Sequence, residues 1–508
     1  MSVPVVHGEQ SADAEQVVPE RRQRIVILLI CSMALLVVGL DATIVNVALP
    51  SIHRSLHSSL SGLQWTIDAY TLVLASLLML SGSMADRLGR RRVFQCGLAL
   101  FSLGSLLCAL APSLGMLIAA RVLQAIGGSM LNPVAMSIIR NVFVDARERA
   151  MAIGVWGAVF GVSMALGPVL GGVLVQISSW RAVFLVNVPV GAIAIALTAM
   201  FVPESKAGRS RRIDPIGQLL VIAALATLTY GIIDAPRIGW DSARTLILFG
   251  CSVACWVSLV LYELRRREPL IEVRFFRSAP FAGASVTAIG MFAAIGGFLF
   301  LNTLYLQTSR GLSPLHAGLY TLPMAGAMLV AAPVSGRIVG NRGTRLPLVA
   351  GSLALIAAAL ILTTVTVSTS DLVLFGAYLL FGFGTGMINP PITNTAVTGM
   401  PPSQAGVAAA VASTSRQVGV TLGVAVLGAL AGGDTISHLG GPSFATATHT
   451  SWWIVVGIGC VLLVGAFVTT SPWALQTATQ TAERLREHDL PPARDDQPTE
   501  SEPARAAV

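Results

Sequence analysis

Long apolar runs, separated by short polar connectors, make up most of the chain between residues 25 and 471. About 20 consecutive apolar residues are enough for a helix to cross the hydrocarbon core of a bilayer. Fourteen runs reach spanning length, so the pattern predicts fourteen membrane-spanning helices, which we label α1 to α14 in chain order. They lie near residues 25–49, 62–84, 93–111, 114–138, 150–175, 181–203, 216–234, 245–262, 280–306, 315–336, 347–367, 371–396, 404–431 and 451–471.

The distribution of Lys and Arg predicts the orientation of these helices, because cytoplasmic loops carry an excess of positive charge. With the N-terminus inside, inner segments hold 26 of the 33 Lys and Arg residues, outer loops hold five, and two lie within helices. We therefore expect a multi-pass protein of the cytoplasmic (inner) membrane with both termini in the cytoplasm. Residues 1–24 are predicted to be disordered, and the cytoplasmic tail, 472–508, to hold one short surface helix before further disorder.

Two segments occur twice along the chain at nearly the same separation. RVLQAIGGSMLNP (121–133) matches YLLFGFGTGMINP (378–390) at a shift of 257 residues, and GSMADRLGRR (82–91) matches GRIVGNRGTR (336–345) at a shift of 254. Such repeats are typical of duplicated transporter halves. We therefore predict two six-helix bundles with α7 and α8 inserted between them. The predicted bounds are 25–203 for the first bundle, 204–262 for the cytoplasmic linker with α7 and α8, and 280–471 for the second bundle.

Composition supports a membrane protein and argues against several other functions. The chain is 54% hydrophobic and 11% charged, whereas a soluble domain carries about 25% charged residues. The net charge of +8 comes from arginines in connectors, without a basic patch interleaved with aromatics, so we expect no nucleic-acid binding. The six cysteines lie in apolar runs without a histidine at metal-ligand spacing, so we expect no metal and no cofactor. No nucleophile–base pair or phosphate-binding loop is visible, which argues against an enzyme and against direct use of ATP.

Four charged side chains interrupt the apolar helices, and such residues are costly in a bilayer and usually functional. They are Asp41 in GLDATIVNVALP of α1, Asp68 in WTIDAY of α2, Arg121 in α4, and Arg416 in RQVG of α13. Each lies roughly 10 to 18 Å from the nearer end of its predicted helix, at 1.5 Å per residue. We therefore expect the four charges to share one polar cavity near the middle of the membrane. The other polar residues expected in this cavity are Asn46 and Gln124.

Four motifs stand out in these helices. They are GSMADRLGRRR between α2 and α3 (82–92), Arg121 with Gln124 on α4, SMALGPVLGG on α5 (163–172), and GLDATIVNVALP on α1 (39–50). Together they resemble the motifs of fourteen-helix drug:proton antiporters of the major facilitator superfamily, the EmrB/QacA-type multidrug exporters. The resemblance implies the major facilitator fold, an all-α integral membrane architecture. It also implies a monomer in membrane lipids that exports amphipathic small molecules in exchange for protons, with the proton gradient as its energy source.

The resemblance assigns roles to two of these motifs. In the family, the turn between α2 and α3 latches the two halves in the outward-facing state, and the matching residues here are Gly82, Asp86, Arg87, Gly89 and Arg90. The α5 motif marks exporters rather than importers, and it corresponds to Gly167, Pro168, Gly171 and Gly172. The spacing of small residues on α5 also predicts close helix packing along two stripes. These are Gly157, Gly161 and Ala165, and then Gly167 and Gly171.

Proton coupling is expected to depend on the first bundle, because α9 to α14 contain no well-buried acid. In this hypothesis Asp41 or Asp68 alternates between a proton and a cationic or polar substrate, and Arg121 tunes the proton affinity of the carboxyl. A static ion pair that holds α1 against α4 is the alternative role. The candidates for the wall of the substrate cavity are Trp65, Tyr70, Phe298, Tyr305, Gln307, Tyr378 and Phe381.

The same fold is compatible with more than one direction and range of transport. An uptake symporter, or an exporter of a single metabolite, is the alternative to a multidrug exporter. The residues do not identify the substrate, its charge or the number of protons exchanged.

Overall fold

The computed structural model describes residues 20–206, 214–266, 269–400, 404–431 and 442–489. Within these ranges the regular structure is helical, and fourteen helices are long and apolar enough to cross a membrane. The predicted fold class and number of spans are therefore confirmed. The predictions for most of the N-terminus (1–19), for part of the linker (207–213) and for the end of the tail (490–508) lie outside the described residues.

The spanning helices follow one another with short connectors. Their bounds are α1 Arg21–Leu56, α2 Leu60–Leu88, α3 Arg90–Leu110, α4 Leu114–Val142, α5 Ala146–Ile177, α6 Ala182–Phe201, α7 Pro215–Ile238, α8 Ala243–Glu263, α9 Ala279–Leu304, α10 Pro314–Arg342, α11 Arg345–Leu362, α12 Asp371–Val397, α13 Ala405–Ala431 and α14 Pro442–Thr469. Two of them are interrupted, α6 at Val186 and α10 at Thr321, and α9 continues as a π-helical turn over Tyr305–Ser309. A further helix, α15, follows at Pro472–Asp489, where a short helix was expected.

Caps and glycines explain several helix ends. The Ser59 hydroxyl accepts a hydrogen bond from the Gly62 amide, which has no partner inside α2. Gly89 follows α2 and Gly343 follows α10, with φ angles of +110° and +80°, a region that favours glycine. Both glycines belong to the repeated turn segment, so the repeat corresponds to the same kind of chain reversal at two places.

Helix packing follows the internal repeat. In the first part of the chain, α1 packs against α5, α2 against α4, and α3 against α4 and α6. In the second part, α9 packs against α13, α10 against α12, and α11 against α12 and α14. Each contact in one set has a counterpart eight helices later, as expected for duplicated bundles. The inserted helices α7 and α8 pack against each other, and α7 also contacts α2 and α13. The domain boundaries themselves stay a prediction.

The two sets of helices meet at the end of the structure that contains the turn between α1 and α2, which we call the α1–α2 end. There Gln307, after α9, donates a hydrogen bond to the Val47 carbonyl of α1 at 2.9 Å. Gln64 of α2 donates to the Val424 carbonyl of α13 at 3.0 Å. Both bonds use backbone carbonyls in the halves of α1 and α13 that are nearer this end, so they join the two sets there.

Towards the opposite end, which contains the turn between α2 and α3 and which we call the open end, α5 and α10 are not packed together at several glycines. A Cβ atom added at any of several glycines in these helices would have no neighbouring atom within 4 Å. The close packing expected along the first small-residue stripe of α5 is therefore wrong for this structure, because its glycines face open space. The open positions are Gly154, Gly157 and Gly161 on α5 and Gly326, Gly336 and Gly340 on α10.

Candidate functional site

Asp41 of α1 and Arg121 of α4 form an ion pair inside the first set of helices. Arg121 Nη1 lies 2.6 Å from Asp41 Oδ2, and the exposed fractions of the two residues are 1% and 0%. Gln124, one turn after Arg121, donates from Nε2 to Asp41 Oδ1 at 2.8 Å. Charge-assisted bonds of this length are among the strongest in proteins. The predicted joint binding of a carboxylate by Arg121 and Gln124 is thus present.

Two further residues complete what we call the ion-pair cluster: Asp41, Arg121, Gln124, Ser105 and Asn187. Asn187 of α6 donates to Asp41 Oδ1 at 3.2 Å, and Ser105 of α3 accepts from Gln124 at 2.7 Å. Asn187 is detectable in the sequence as an amide between apolar residues, but nothing in the spacing predicts that it reaches Asp41. Ser105 gives no such signal, since single serines are common in membrane helices.

Arg121 is also held on the side away from Asp41. Its Nε donates to the Thr66 carbonyl of α2 at 3.1 Å, and its guanidinium lies 4.1 Å from the centre of the Tyr70 ring. A desolvated cation over an aromatic ring is stabilised by about 2 kcal/mol or more. Arg121 therefore joins α1, α2 and α4, and Tyr70 contacts this arginine instead of lining a cavity.

Glycines allow the helices of this cluster to approach closely. A Cβ at Gly104 of α3 would lie 2.5 Å from the backbone nitrogen of Gln124, so no other residue fits there without displacing α4. The second small-residue stripe of α5 behaves as predicted. A Cβ at Gly167 would lie 1.9 Å from Thr43 Oγ1, two residues after Asp41. The exporter motif thus packs directly beside the acid of α1.

The same motif also contacts the second set of helices. A Cβ at Gly172 would lie 2.6 Å from the Pro314 carbonyl of α10, and a Cβ at Gly318 would lie 2.3 Å from the Pro168 carbonyl of α5. α5 and α10 therefore cross with almost no side chain between them. This crossing lies at the α1–α2 end and adds to its closure.

Asp68 lies apart from the ion-pair cluster. It is fully buried, and neither of its carboxyl oxygens has a hydrogen-bond partner among the described residues. The face of α2 that carries Asp68 also carries Gln64 and Thr71, and both of these contact α13. Thr71 accepts a hydrogen bond from Thr421 of α13 at 2.8 Å. Asp68 thus lies at the contact between α2 and α13.

Arg416 and Asn46 also lie away from Asp41. Arg416 of α13 donates to the Thr393 hydroxyl of α12, and its guanidinium lies 6.0 Å from the centre of the Phe292 ring. The Asn46 amide donates to carbonyls of its own helix, α1. The four charges share no single hydrogen-bond network among the described residues, and their common cavity stays a prediction. Helix depth alone could not reveal this, because it ignores which way each side chain points.

Most of the candidate cavity-wall residues are packed within the bundles. Phe298, Tyr378 and Phe381 are fully buried and contact one another, with Phe298 and Phe381 stacked at 4.4 Å between ring centres. Tyr305 donates to the Thr366 carbonyl at 2.7 Å. Phe298, Tyr378 and Phe381 are thus packed against one another, whereas Tyr305 lines a small cavity together with Asn302 and Trp452. Of the other three, Trp65 contacts the Tyr230 ring of α7, and Gln307 and Tyr70 have the contacts described above.

The turn between α2 and α3 makes its contacts with α6 and the segment after it. Asp86 pairs with Arg90 one turn later at 3.3 Å. A Cβ at Gly89 would lie 2.5 Å from Glu204, whose carboxylate accepts a hydrogen bond from the Arg91 amide at 3.2 Å. Glu204 was missed from the sequence, because it lies 113 residues along the chain from Arg91. Gly82 has open space on most sides, with the nearest contact, to Pro133, at 4.0 Å.

Comparison with known proteins places this architecture. The model of the Major Facilitator Superfamily matches residues 31–424, which is well over half of the chain. The chain belongs to the major facilitator superfamily. Within it, the chain is 38% identical over 414 residues to the multidrug resistance protein Stp of Mycobacterium tuberculosis, a match that covers 80% of this chain and 76% of that protein.

One more relative and one solved structure support the same placement. The tetracenomycin C resistance and export protein of Streptomyces glaucescens is 37% identical over 405 residues, covering 79% of this chain and 75% of that protein. The crystal structure of a bacterial homologue of the human lysosomal transporter Spinster is similar with a TM-score of 0.61, at 17% identity, over 94% of this chain and 100% of that one. Stp and the tetracenomycin C protein carry the resemblance to drug exporters. The Spinster homologue supports the major facilitator fold.

Proposed function

We propose that this superfamily member is a proton-driven exporter of amphipathic drugs in the cytoplasmic membrane, with both termini in the cytoplasm. The relatives described above are named for multidrug resistance and for resistance and export, which supports export as the direction. Arg residues are in excess in the connectors that lie on the same side of the membrane as the N-terminus, which supports the orientation. In this orientation the closed α1–α2 end faces outward and the open end faces the cytoplasm, from which a drug enters.

The observation that carries proton coupling is the isolation of Asp68. The Thr71 hydroxyl lies close to the Asp68 carboxyl, but it donates to the Ile67 and Asp68 carbonyls of its own helix. A buried carboxylate that accepts no hydrogen bond and has no cation as partner is a charge in a low-dielectric medium, which costs several kcal/mol. A bound proton removes that charge. Asp68 also lies where α2 touches α13, so a rearrangement between the two sets of helices changes its surroundings. We infer that Asp68 holds the coupled proton in the state with a closed outer end.

Asp41 has a different role in this proposal. Its carboxylate receives three charge-assisted or amide bonds, from Arg121, Gln124 and Asn187. This arrangement stabilises the ionised form and holds α1, α4 and α6 together. Asp41 therefore serves first as a structural partner of Arg121. If α1 moves against α5 during transport, the Asp41–Arg121 pair would change with that movement.

The proposal is tested with inverted membrane vesicles from cells that express the chain, energised by an imposed proton gradient. We expect accumulation of a cationic dye that a protonophore abolishes, and release of protons from the vesicles when a substrate is added. Asp68→Asn should bind the dye with similar affinity but release no protons. Asp371→Asn, which changes an exposed acid paired with Arg310 at the α1–α2 end, is the matched control and should behave as wild type.

Two results would contradict the proposal. Dye that accumulates in whole cells and is depleted in inverted vesicles would indicate uptake, the alternative direction on this fold. Undiminished proton release by Asp68→Asn would show that the coupled proton is bound elsewhere.

A further inference from the structure

A second pair of buried acids lies outside the transport site, where the inserted helices α7 and α8 come together at the α2–α3 end. Asp214 precedes α7 and caps it, since its Oδ1 accepts a hydrogen bond from the Gly217 amide at 3.0 Å. The same oxygen accepts from the Tyr262 hydroxyl of α8 at 3.2 Å. Asp214 is 2% exposed, although it lies just outside a predicted span.

Glu263 is the last residue of α8 and is equally buried, with 2% of its surface exposed. Its Oε2 accepts a hydrogen bond from the Leu270 amide in the connector to α9, at 2.9 Å. Its Oε1 is buried and has no hydrogen-bond partner among the described residues. Since an unpaired buried carboxylate oxygen is costly, this atom requires a ligand or a proton.

The unpaired oxygens of the two acids both lie beside Gly217. A Cβ added at Gly217 would lie 2.6 Å from Glu263 Oε1 and 3.0 Å from Asp214 Oδ2. Asp214 Oδ2 also lacks a hydrogen-bond donor, and its nearest cation is the partly exposed Arg266, whose Nε lies 3.6 Å away. Glycine at position 217 thus leaves room for two carboxyl groups, and among the described residues one arginine, Arg266, pairs with this couple of acids.

We propose that Asp214 and Glu263 bind one proton between them, held as a hydrogen bond from one of these oxygens to the other. One proton satisfies both unpaired oxygens, and it neutralises the negative charge that remains when Arg266 is set against the two acids among the described residues. A metal ion fits less well, because it needs more ligands and the described residues provide no group of three His, Cys, Asp or Glu side chains. Two carboxyl groups that share one proton are a known arrangement when like charges are close together.

Few charged groups surround Asp214 and Glu263 among the described residues, so a change in stability with pH can be assigned to this pair. The charged or titratable side chains that act on Glu263 and Asp214 among the described residues are Arg266 and Tyr262. α2 contributes Leu72 and Ala75 to the adjacent apolar cluster, and α13 contributes Val418. The side chains that α2 and α13 contribute to this cluster are apolar.

The pair is connected to a moving part of the transporter. Glu263 holds Leu270, and Leu270 and Ile271 belong to the same apolar cluster as Leu72 of α2 and Val418 of α13. In the proposed orientation this end faces the cytoplasm. Proton binding by the pair would thus make the attachment of α8 and its connector sensitive to cytoplasmic pH. This site is separate from Asp68 and does not depend on drug export.

The test is the pH dependence of stability of the full-length protein in lipid nanodiscs, measured by equilibrium unfolding from about pH 5 to about pH 9. The native pair binds a proton that the unfolded chain has already lost, so stability falls as pH rises. For one proton, the unfolding equilibrium constant of wild type rises by up to about tenfold per pH unit relative to a variant that lacks the site. Glu263→Gln and Asp214→Asn should each remove this dependence, because either change leaves only one acid.

Glu272→Gln is the matched control. Glu272 lies in the same connector and pairs with Arg274 at 3.8 Å, away from Gly217, so this variant should keep the pH dependence of wild type. Parallel curves for wild type and Glu263→Gln would overturn the proposal, since no linked proton would exist. A dependence that persists in Asp214→Asn would also overturn it, because Glu263 would then titrate alone. Equal loss of stability in both variants at every pH would indicate a structural role without a proton.

Discussion

The two membrane acids of the first bundle should respond in opposite ways to the same isosteric change. Asp41→Asn removes the negative partner of Arg121 and leaves a guanidinium that is 1% exposed without compensation. Breaking one side of a buried ion pair costs about 3 to 5 kcal/mol. The asparagine NH2 group would also face the amide donors of Gln124 or Asn187, which now bind Asp41 Oδ1. We therefore expect a loss of folding free energy near the upper end of this range.

Asp68→Asn should have little effect on stability. Asp68 has no hydrogen bond or ion pair to lose among the described residues, and asparagine has nearly the same shape. An isosteric replacement of a side chain that makes no hydrogen bond is close to neutral. We therefore expect the unfolding free energy to change by less than about 1 kcal/mol. Transport should show the reverse, because Asp68→Asn should abolish proton release while the less stable Asp41 variant keeps part of it.

A double-mutant cycle measures the pairing of Asp41 with Arg121 directly. Unfolding of wild type, Asp41→Asn, Arg121→Gln and the double variant is followed in detergent by titration with denaturant. We expect each single change to lower the unfolding free energy more than the double change does, because the double variant leaves no unpaired charge. The expected coupling energy is at least about 2 kcal/mol. Additive losses, or equal destabilisation by Asp68→Asn and Asp41→Asn, would refute this account of the two sites.

Further predictions concern the closed end and the turns. Gly172→Ala should weaken the crossing of α5 and α10 by about 1 to 3 kcal/mol, because its Cβ meets the Pro314 carbonyl. Gly157→Ala, with no atom within 4 Å, should leave thermal stability unchanged. Gly89→Ala should reduce stability more than Gly343→Ala, since both force a side chain into a positive φ but only Gly89 also meets a carboxylate. Gln64→Leu should favour opening of the α1–α2 end, seen as faster cysteine labelling from outside, because two bonds to α13 are lost.

The fold and the joint binding of a carboxylate by Arg121 and Gln124 could be predicted from the sequence, because both depend on local patterns. Spanning length and charge counts predict helices, and Arg121 and Gln124 lie one turn apart, so their shared target follows from helix geometry. Contacts between distant segments have no such signal. Asn187 reaches Asp41 across 146 residues, and Glu204 reaches Arg91 across 113. These contacts depend on how α3, α4 and α6 are rotated against each other.

The separate contacts of the four membrane charges have the same origin. Depth along a helix can be derived from residue number, but a helix presents each side chain to one direction only. Asp41 points into its own bundle, whereas Asp68 lies on the face of α2 that meets α13. The packing of two aromatic candidates against each other was equally hard to predict. Phe298 and Phe381 bury large apolar surfaces against each other, and burial of that kind gives the same sequence pattern as a cavity wall.

The internal repeat distinguishes the part of this site that supports the fold from the part that is added to it. Tyr378 lies at the repeat position of Arg121, and its hydroxyl donates to the Asn302 side chain of α9, the counterpart of α1. The second bundle thus joins its two corresponding helices with an uncharged pair, which shows that this position needs a polar link whether or not charge is involved. Asp68 has no such counterpart. The same shift of 254 to 257 residues carries it to positions 322–325, LPMA, where no side chain is polar. Since the duplicated architecture is built without an acid there, the buried acid of α2 is best explained by transport and not by folding.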